Sequence, residues 1–519
     1  MMAPRAIRAI FGVLLCVAGF ILARNTPVRQ TTVIVNADGC RIVTDVVDAG
    51  DDATRGSVVL LHGLAANKKI MSYLAQAFAL QNLRVFVPDL PGHGRTQGPF
   101  SFSGSEACTA SFVRQLIARR AIDPARTILA GHSMGGAIAV LVAARIPVAG
   151  VIAISPAPMS PARGIPVFML PFANPPPTPP NTLAISASWE PRAIRDSARD
   201  LIAGDAAATG KYMFVPHATH VSVLFDRRVA RASQQWAAQA LHLAPAAGQL
   251  PSSQVLAGAL AGFVGILLLA GPFLDEALGA TAGQQSASQG ERGKPASQSK
   301  LSAETPPAPS ALRPLVEIAL CSLLAAVLLQ FVNPLRVTRV FEGDYLAGFL
   351  VLLGVLLLAL HHRQIRSALH VSATSLLAAG FVALVLHLLI IGWFDLTISE
   401  AWLTPARWAR FPALFFAALP YHVAEEFLLG PPAARSGKAR LALALLFRLI
   451  AWGGILAGIF LLHSSEILLV LLAPYFALFC VLQGAGMAVV RKDTGSPLAT
   501  ALFGAILLAG FCLVVFPIT

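Results

Sequence analysis

The sequence predicts two structural classes in one chain: a mainly parallel α/β sheet flanked by helices over about residues 32–246, and an all-α multi-span membrane domain after it. Three observations predict this. Only 13% of the 519 residues are charged and 56% are hydrophobic, whereas about a quarter are charged in soluble globular proteins. The apolar excess lies almost wholly beyond residue 255, in runs long enough to cross a bilayer. Before it, short apolar runs that end in turns alternate with helix-like stretches, as in a parallel sheet covered on both faces.

The first apolar run, Ala6–Ala23, carries Arg5 and Arg8 at its start. Its length suits a crossing, and no A-x-A-like cleavage site follows it, so residues 1–31 read as a signal anchor and tether. Thr32–Asn36 and Arg41–Val47 flank Asp38-Gly39, the signal for a tight hairpin. Buried strands are expected at Val58–Leu61, Val85–Val87, Thr127–Ala130, Val151–Ile154, Leu183–Ser186 and Tyr212–Val215. Helices are expected at Met71–Gln81, Ser105–Arg120 and Gly136–Arg145.

Further spanning runs fall near 255–274, 314–332, 345–361, 371–394, 411–429, 441–462, 467–490 and 498–517, giving about nine spans with the anchor. Residues 275–313 read as a disordered linker, because Gly283–Pro309 is rich in Ser, Gln, Gly, Pro and Ala and has little to bury. With the N-terminus inside, the inside loops carry Arg292, Lys294, Lys300, Arg313, Arg363, Arg366, Arg435, Lys438, Arg440, Arg491 and Lys492. The opposite loops mix Glu342, Asp344, Asp395 and Glu400 with Arg336, Arg339, Arg407 and Arg410. The excess of positive charge inside puts residues 32–246 on the non-cytoplasmic side.

The net charge of +13 is accounted for by those loops. No aromatic-studded basic strip accompanies it, so no nucleic-acid partner is expected. Four of the six cysteines lie in apolar spans. Cys40 and Cys108 fall in the α/β region, where a bond between them is possible without support from spacing.

Gly131-His132-Ser133-Met134-Gly135 is a G-x-S-x-G placed between an expected strand and an expected helix. A tight strand-to-helix turn there holds the serine in a strained, exposed pose. Acyl transfer also needs donors aimed at the developing oxyanion. The N–H of Met134 is one candidate. The N–H of Leu64 is the second, because in Leu60-Leu61-His62-Gly63-Leu64 a strand runs into a glycine turn.

Together these residues resemble the α/β-hydrolase superfamily, particularly the monoglyceride-lipase and lysophospholipase-like esterases. The matching blocks are Val58-Val-Leu-Leu-His-Gly-Leu64, Val87-Pro-Asp-Leu-Pro-Gly-His-Gly-Arg-Thr96 and Gly131-His-Ser-Met-Gly-Gly136. The resemblance implies an α/β-hydrolase fold and a serine hydrolase with Ser133 as nucleophile. It makes Asp89 and His93 turn-organising residues outside the catalytic set. The family's order is nucleophile, acid, histidine, so the base comes from His220 or His217, of which the family pattern fits His220. The acid should follow Leu183–Ser186; Glu190 stands where the family usually has Asp, and Asp196 is its rival. Relatives often insert a helical cap before that strand. Here the interval holds Phe168-Met-Leu-Pro-Phe172 and Pro175–Pro180, too proline-laden for a long helical lid, so the site is either open or covered by the membrane domain, and Phe168–Phe172 is expected to dip toward lipid.

Within the membrane half, His422, Glu425 and Glu426 stand out. The Glu-Glu pair faintly resembles the intramembrane CAAX-processing-type proteases, but Gly430 replaces that family's arginine and its later histidine motifs are missing, so pairing inside the bundle or snorkelling to the cytoplasmic interface is expected. His387 is expected to be packed. No metal-ligand spacing and no cofactor motif is present. The expected function is a membrane-anchored serine hydrolase cleaving carboxylic esters of lipids or acylated envelope molecules, with the bilayer and the ester substrate as its partners. Two other readings stay open: an acyltransferase using the same acyl-enzyme, and a transporter or scaffold whose hydrolase-fold module only binds.

Overall fold

The computed structural model describes residues 4–24, 28–50, 54–159, 170, 172, 176–204, 208–244, 249–290, 312–332, 337–363, 365, 372–430, 437–464 and 466–519. These form two compact units. One comprises residues 14–264 with 391–404 and 517–519; the other comprises residues 1–13, 265–390 and 405–516.

In chain order the first unit holds β1 (Arg29–Ala37), β2 (Cys40–Asp48), β3 (Ser57–Leu61), α2 (Ser72–Ala79), β4 (Arg84–Pro88) and α3 (Phe102–Ala118). Then follow β5 (Thr127–His132), α4 (Met134–Ala143), β6 (Gly150–Ile154), β7 (Thr182–Ala187), α5 (Arg192–Ala203), β8 (Lys211–Val215) and α6 (Arg227–Ala240). The strands make one sheet in the order β1-β2-β4-β3-β5-β6-β7-β8. β1–β2 and β2–β4 run antiparallel and the other neighbours run parallel. Each strand expected from an apolar run lies inside an observed one. The Asp38-Gly39 turn closes β1 on β2 with positive φ at both residues, 43° and 83°, the geometry that matches strand twist.

Every residue of β3 and β5–β7 is buried, as parallel strands sandwiched between helices must be. Cys40 and Cys108 are joined in a disulfide between β2 and α3, with Cα atoms 5.8 Å apart. Of the interval between β6 and β7, residues 160–169, 171 and 173–175 lie outside the described residues, and with them most of Phe168–Phe172. Phe172 itself is buried and packs edge-on against Phe102 at 5.6 Å, so at this residue the expected dip toward lipid is corrected.

The remaining helices are α1 (Pro4–Ala23), α7 (Val255–Gly290), α8 (Leu312–Phe331), α9 (Gly343–Leu360), α10 (Ala373–Thr397), α11 (Phe411–Leu428), α12 (Gly437–Leu461), α13 (Ala473–Thr494) and α14 (Pro497–Val515). Among the described residues, eight helices are long and apolar enough to cross a bilayer, which marks a multi-pass membrane protein. The expected run at 411–429 does form α11, but its mean hydropathy is lowered by His422, Glu425 and Glu426 and it is not among the eight. Helix α7 continues to Gly290, past the expected start of the linker at 275. Ala, Gln, Glu and Leu after Asp275 are sound helix formers. The rest of that linker, 291–311, lies outside the described residues, as do the loop cations Arg292, Lys294, Lys300, Arg366 and Arg435.

Candidate active site

The site is built at the carboxyl ends of β3, β5, β7 and β8, where parallel α/β sheets gather their chemistry. β5 ends at His132 and α4 starts at Met134, so Ser133 alone makes the turn, with φ 54° and ψ −119°. A non-glycine residue there is strained by about 1–3 kcal/mol. The strain is held by neighbours: the Ser133 N–H donates to the Ile154 carbonyl (2.9 Å), and the Ser133 carbonyl accepts from Ala137 (3.1 Å) and Ala157 (2.9 Å). Both glycines of the motif are needed for close approach. A Cβ on Gly131 would lie 2.2 Å from the Gly135 carbonyl oxygen, and one on Gly135 would lie 2.5 Å from the carbonyl oxygens of Leu61 and His62.

The loop after β3 is pressed onto this turn. A Cβ on Gly63 would meet the Ser133 Cβ and His132 Nδ1, each at 3.1 Å, so the peptide leading to Leu64 lies against the serine turn. His62 anchors the loop's first residues. Its Nδ1–H donates to the Gly63 carbonyl (2.8 Å), and its Nε2 accepts from the Leu90 N–H (2.9 Å). Burial, partly opposed by the hydrogen bond to Gly63, pushes His62 down to about 4. It is therefore a neutral connector near pH 7.

His220 and Glu190 are brought together. His220 Nδ1–H donates to Glu190 Oε1 at 2.8 Å, and Glu190 Oε2 accepts from the Ala187 N–H at 2.8 Å. The Glu190 side chain is fully buried while His220 keeps 29% of its side-chain exposure. An imidazole with Nδ1 committed to a carboxylate leaves Nε2 as an acceptor, the tautomer a general base requires. The two rivals lie elsewhere. His217 is exposed, with its ring 6.4 Å from that of Trp189. Asp196 faces Arg199 at 3.7 Å on α5.

His132 escaped the reading of the motif, where it is the residue before the serine. Its Nε2–H donates to the His220 carbonyl at 2.7 Å and its ring lies 4.6 Å from the His220 ring. Burial, then the neighbouring His220, hold it well below the usual histidine range, so it acts as a neutral tether between the serine turn and the His220 loop. A polar residue directly before the motif's serine is the only signal the sequence held. Asp89 does organise its loop: it accepts from the N–H groups of Lys68 (2.8 Å) and Arg95 (2.9 Å). His93 Nδ1–H donates to the Pro91 carbonyl at 2.9 Å.

In the second unit the singled-out charges are paired. Arg448 grips Glu425 with two hydrogen bonds (2.8 and 3.0 Å), and His422 Nδ1 lies 3.2 Å from the same carboxylate. Glu426 pairs with Arg440 at 2.6 Å and Arg491 at 3.5 Å. His387 is buried, with Gly510 packed on its ring. No group of three or more His, Cys, Asp or Glu among the described residues is placed to hold a metal.

The strand order and the serine turn define a domain of the α/β-hydrolase type. Residues 58–289 match the alpha/beta hydrolase family, and this stretch is an α/β-hydrolase domain. A putative non-heme haloperoxidase of Mycobacterium phage D29 is 34% identical over 114 residues, 22% of this chain and 38% of that protein. A monoacylglycerol lipase of Mycolicibacterium smegmatis is 37% identical over 111 residues, 21% of this chain and 39% of that protein. The chain thus covers well under half the length of either relative. A solved thermophilic esterase from Thermogutta terrifontis shares 17% identity over 41% of this chain and 99% of its own, with a TM-score of 0.32.

Proposed function

We propose that the protein is a membrane-anchored serine esterase that cleaves carboxylic esters of lipids or acylated envelope molecules, with its hydrolase domain on the non-cytoplasmic side. The observation that carries this is the His220–Glu190 hydrogen bond in the domain that presents Ser133 on a strained turn. Ser133 Oγ attacks the acyl carbonyl as His220 Nε2 takes its proton. Glu190 stabilises the imidazolium. The N–H groups of Leu64 and Met134 receive the oxyanion. The imidazolium then protonates the leaving alcohol, and a water deprotonated by His220 resolves the acyl-enzyme, returning the free serine and a carboxylic acid.

A fluorophosphonate probe is expected to label the detergent-solubilised protein at one serine, which peptide mass mapping assigns to Ser133. Absence of labelling, or labelling elsewhere, would refute the esterase reading.

The side of the membrane rests on the Cys40–Cys108 bond, and the number of crossings on which segments keep company with the sheet. Disulfides persist in oxidising compartments. The segment 391–404 and the tail 517–519 belong to the same compact unit as the sheet. The Ile518 N–H donates to the Gly92 carbonyl (3.0 Å), and the Ile518 carbonyl accepts from Phe100 (2.8 Å). Ser399 and Glu400, bonded to Asn67, and the tail therefore share the sheet's side, and an even number of crossings separates them. The three later helices of spanning hydropathy make that number odd. Counting α11 makes it even, and pairing of its carboxylates with arginines lowers the cost of their burial. In intact cells, Cys40 and Cys108 should resist a membrane-permeant maleimide until a reductant is added. Immediate modification would place the domain in the reducing cytoplasm.

A further inference from the structure

We propose that Glu400, with Asn67 and Lys68 as its intermediaries, is a positioning residue for the esterase site: the segment 395–400 holds the far end of the loop that carries the Leu64 oxyanion donor. This rests on the esterase reading above. The loop leaves β3 at His62 and Gly63, passes Leu64, and ends at Asn67. Its near end is fastened inside the hydrolase fold by His62. Its far end is fastened largely by residues more than 320 positions later in the chain.

Three consecutive residues make the tie. Asn67 Nδ2–H donates to Ser399 Oγ at 2.9 Å, and the Glu400 N–H donates to Asn67 Oδ1 at 3.0 Å, an oxygen that also accepts from the Lys69 N–H at 3.2 Å. The Lys68 ammonium, only 1% exposed, bridges Asp89 (3.0 Å) and Glu400. Lys69 Nζ donates to the Asp395 carbonyl. Arg95 Nε, at the surface end of the cluster, lies 3.3 Å from Glu400 Oε1.

A buried ammonium is costly unless paired, and buried polar groups of this kind specify one arrangement of the chain around them. An oxyanion donor must sit within a few tenths of an ångström of its working position, and that accuracy comes from the residues behind it. Asp89 grips the Lys68 backbone from within the fold. The fixed orientation of Asn67, three residues from Leu64, depends on Ser399 and Glu400. Residues 398–404 follow directly on the span α10, so the support for the loop comes from outside the hydrolase sequence block.

The test uses the full chain in detergent micelles, with p-nitrophenyl butyrate as substrate and a fluorophosphonate to count active serines. Glu400→Ala and Asn67→Ala should each lower kcat per titrated serine by about tenfold or more, since misplacement of an ångström costs up to about a hundredfold. KM should stay within about threefold, because an interaction made mainly in the transition state is what is lost. The double variant should be no worse than the poorer single, as both act through one loop. Glu400→Gln, which keeps an acceptor oxygen for Lys68 where alanine has none, should recover most of the rate; the backbone N–H to Asn67 is common to all Glu400 variants. Unchanged kcat per titrated serine in both single variants overturns the proposal, as does a loss explained wholly by fewer titratable serines. Asn67→Ala decides the matter if Glu400→Ala does not fold. A wild type that takes no probe removes the esterase reading itself, an outcome distinct from normal wild type with indifferent variants.

Discussion

Replacing Ser133 or His220 by alanine is expected to lower kcat/KM for p-nitrophenyl butyrate by about 10⁴-fold or more, with the double variant no worse than the poorer single. The reason is that in the proposed mechanism the two side chains perform one event. Without the hydroxyl there is no acyl-enzyme, and without the imidazole the hydroxyl keeps its proton at neutral pH. Residual rate over water would come from the Leu64 and Met134 N–H groups and from binding alone. Glu190→Ala should also be severe, at about 10⁴-fold, because the freed imidazole loses both its tautomer and the charge that stabilises its protonated form. His217→Ala and Asp196→Ala should stay within about twofold. His217 is exposed beside Trp189 and Asp196 faces Arg199, whereas the carboxylate bonded to His220 is that of Glu190. Steady-state kinetics on the five single variants check this. A His217→Ala enzyme that loses its activity while His220→Ala keeps it would reverse the assignment of the base.

The second large effect is expected in the membrane half. Arg448→Ala should destabilise the protein by about 3–5 kcal/mol, the usual cost of stripping one partner from a buried ion pair. Glu425 is fully buried and receives both of its strong hydrogen bonds from Arg448. His422 at 3.2 Å cannot replace a guanidinium that grips both oxygens. The same guanidinium donates to the Cys480 carbonyl at 2.8 Å, so its removal also loosens α12 from α13. In a thermal melt of the detergent-solubilised protein this corresponds to a fall of about 10 °C. The pair Glu425→Gln with Arg448→Gln should recover much of it, since no lone charge then remains buried. A single-variant melt within about 2 °C of wild type would show that the pair is solvated and contributes little.

Much of the fold could be read locally. β3, β5, β6 and β7 each come from a short apolar run bounded by turn residues, and a strand buried on both faces needs nothing else to announce it. The Asp38-Gly39 turn and the serine turn were equally legible, because each depends on residue types that tolerate an unusual backbone. His220 and Glu190 were reached through the resemblance, by order along the chain. Their contact is a matter of two loops meeting after β7 and β8, which no local pattern encodes.

What the sequence by itself determined is therefore the set of elements and the serine turn, through apolar periodicity and a motif whose glycines have steric work to do. Only the tertiary structure decided which distant polar atoms meet: His132 with the His220 carbonyl, Lys68 with Glu400, Arg448 with Glu425, Cys40 with Cys108. Burial of apolar surface is written in composition, residue by residue. A hydrogen bond or ion pair depends on two side chains arriving within about 3 Å of each other, and that coincidence exists only once the chain has folded.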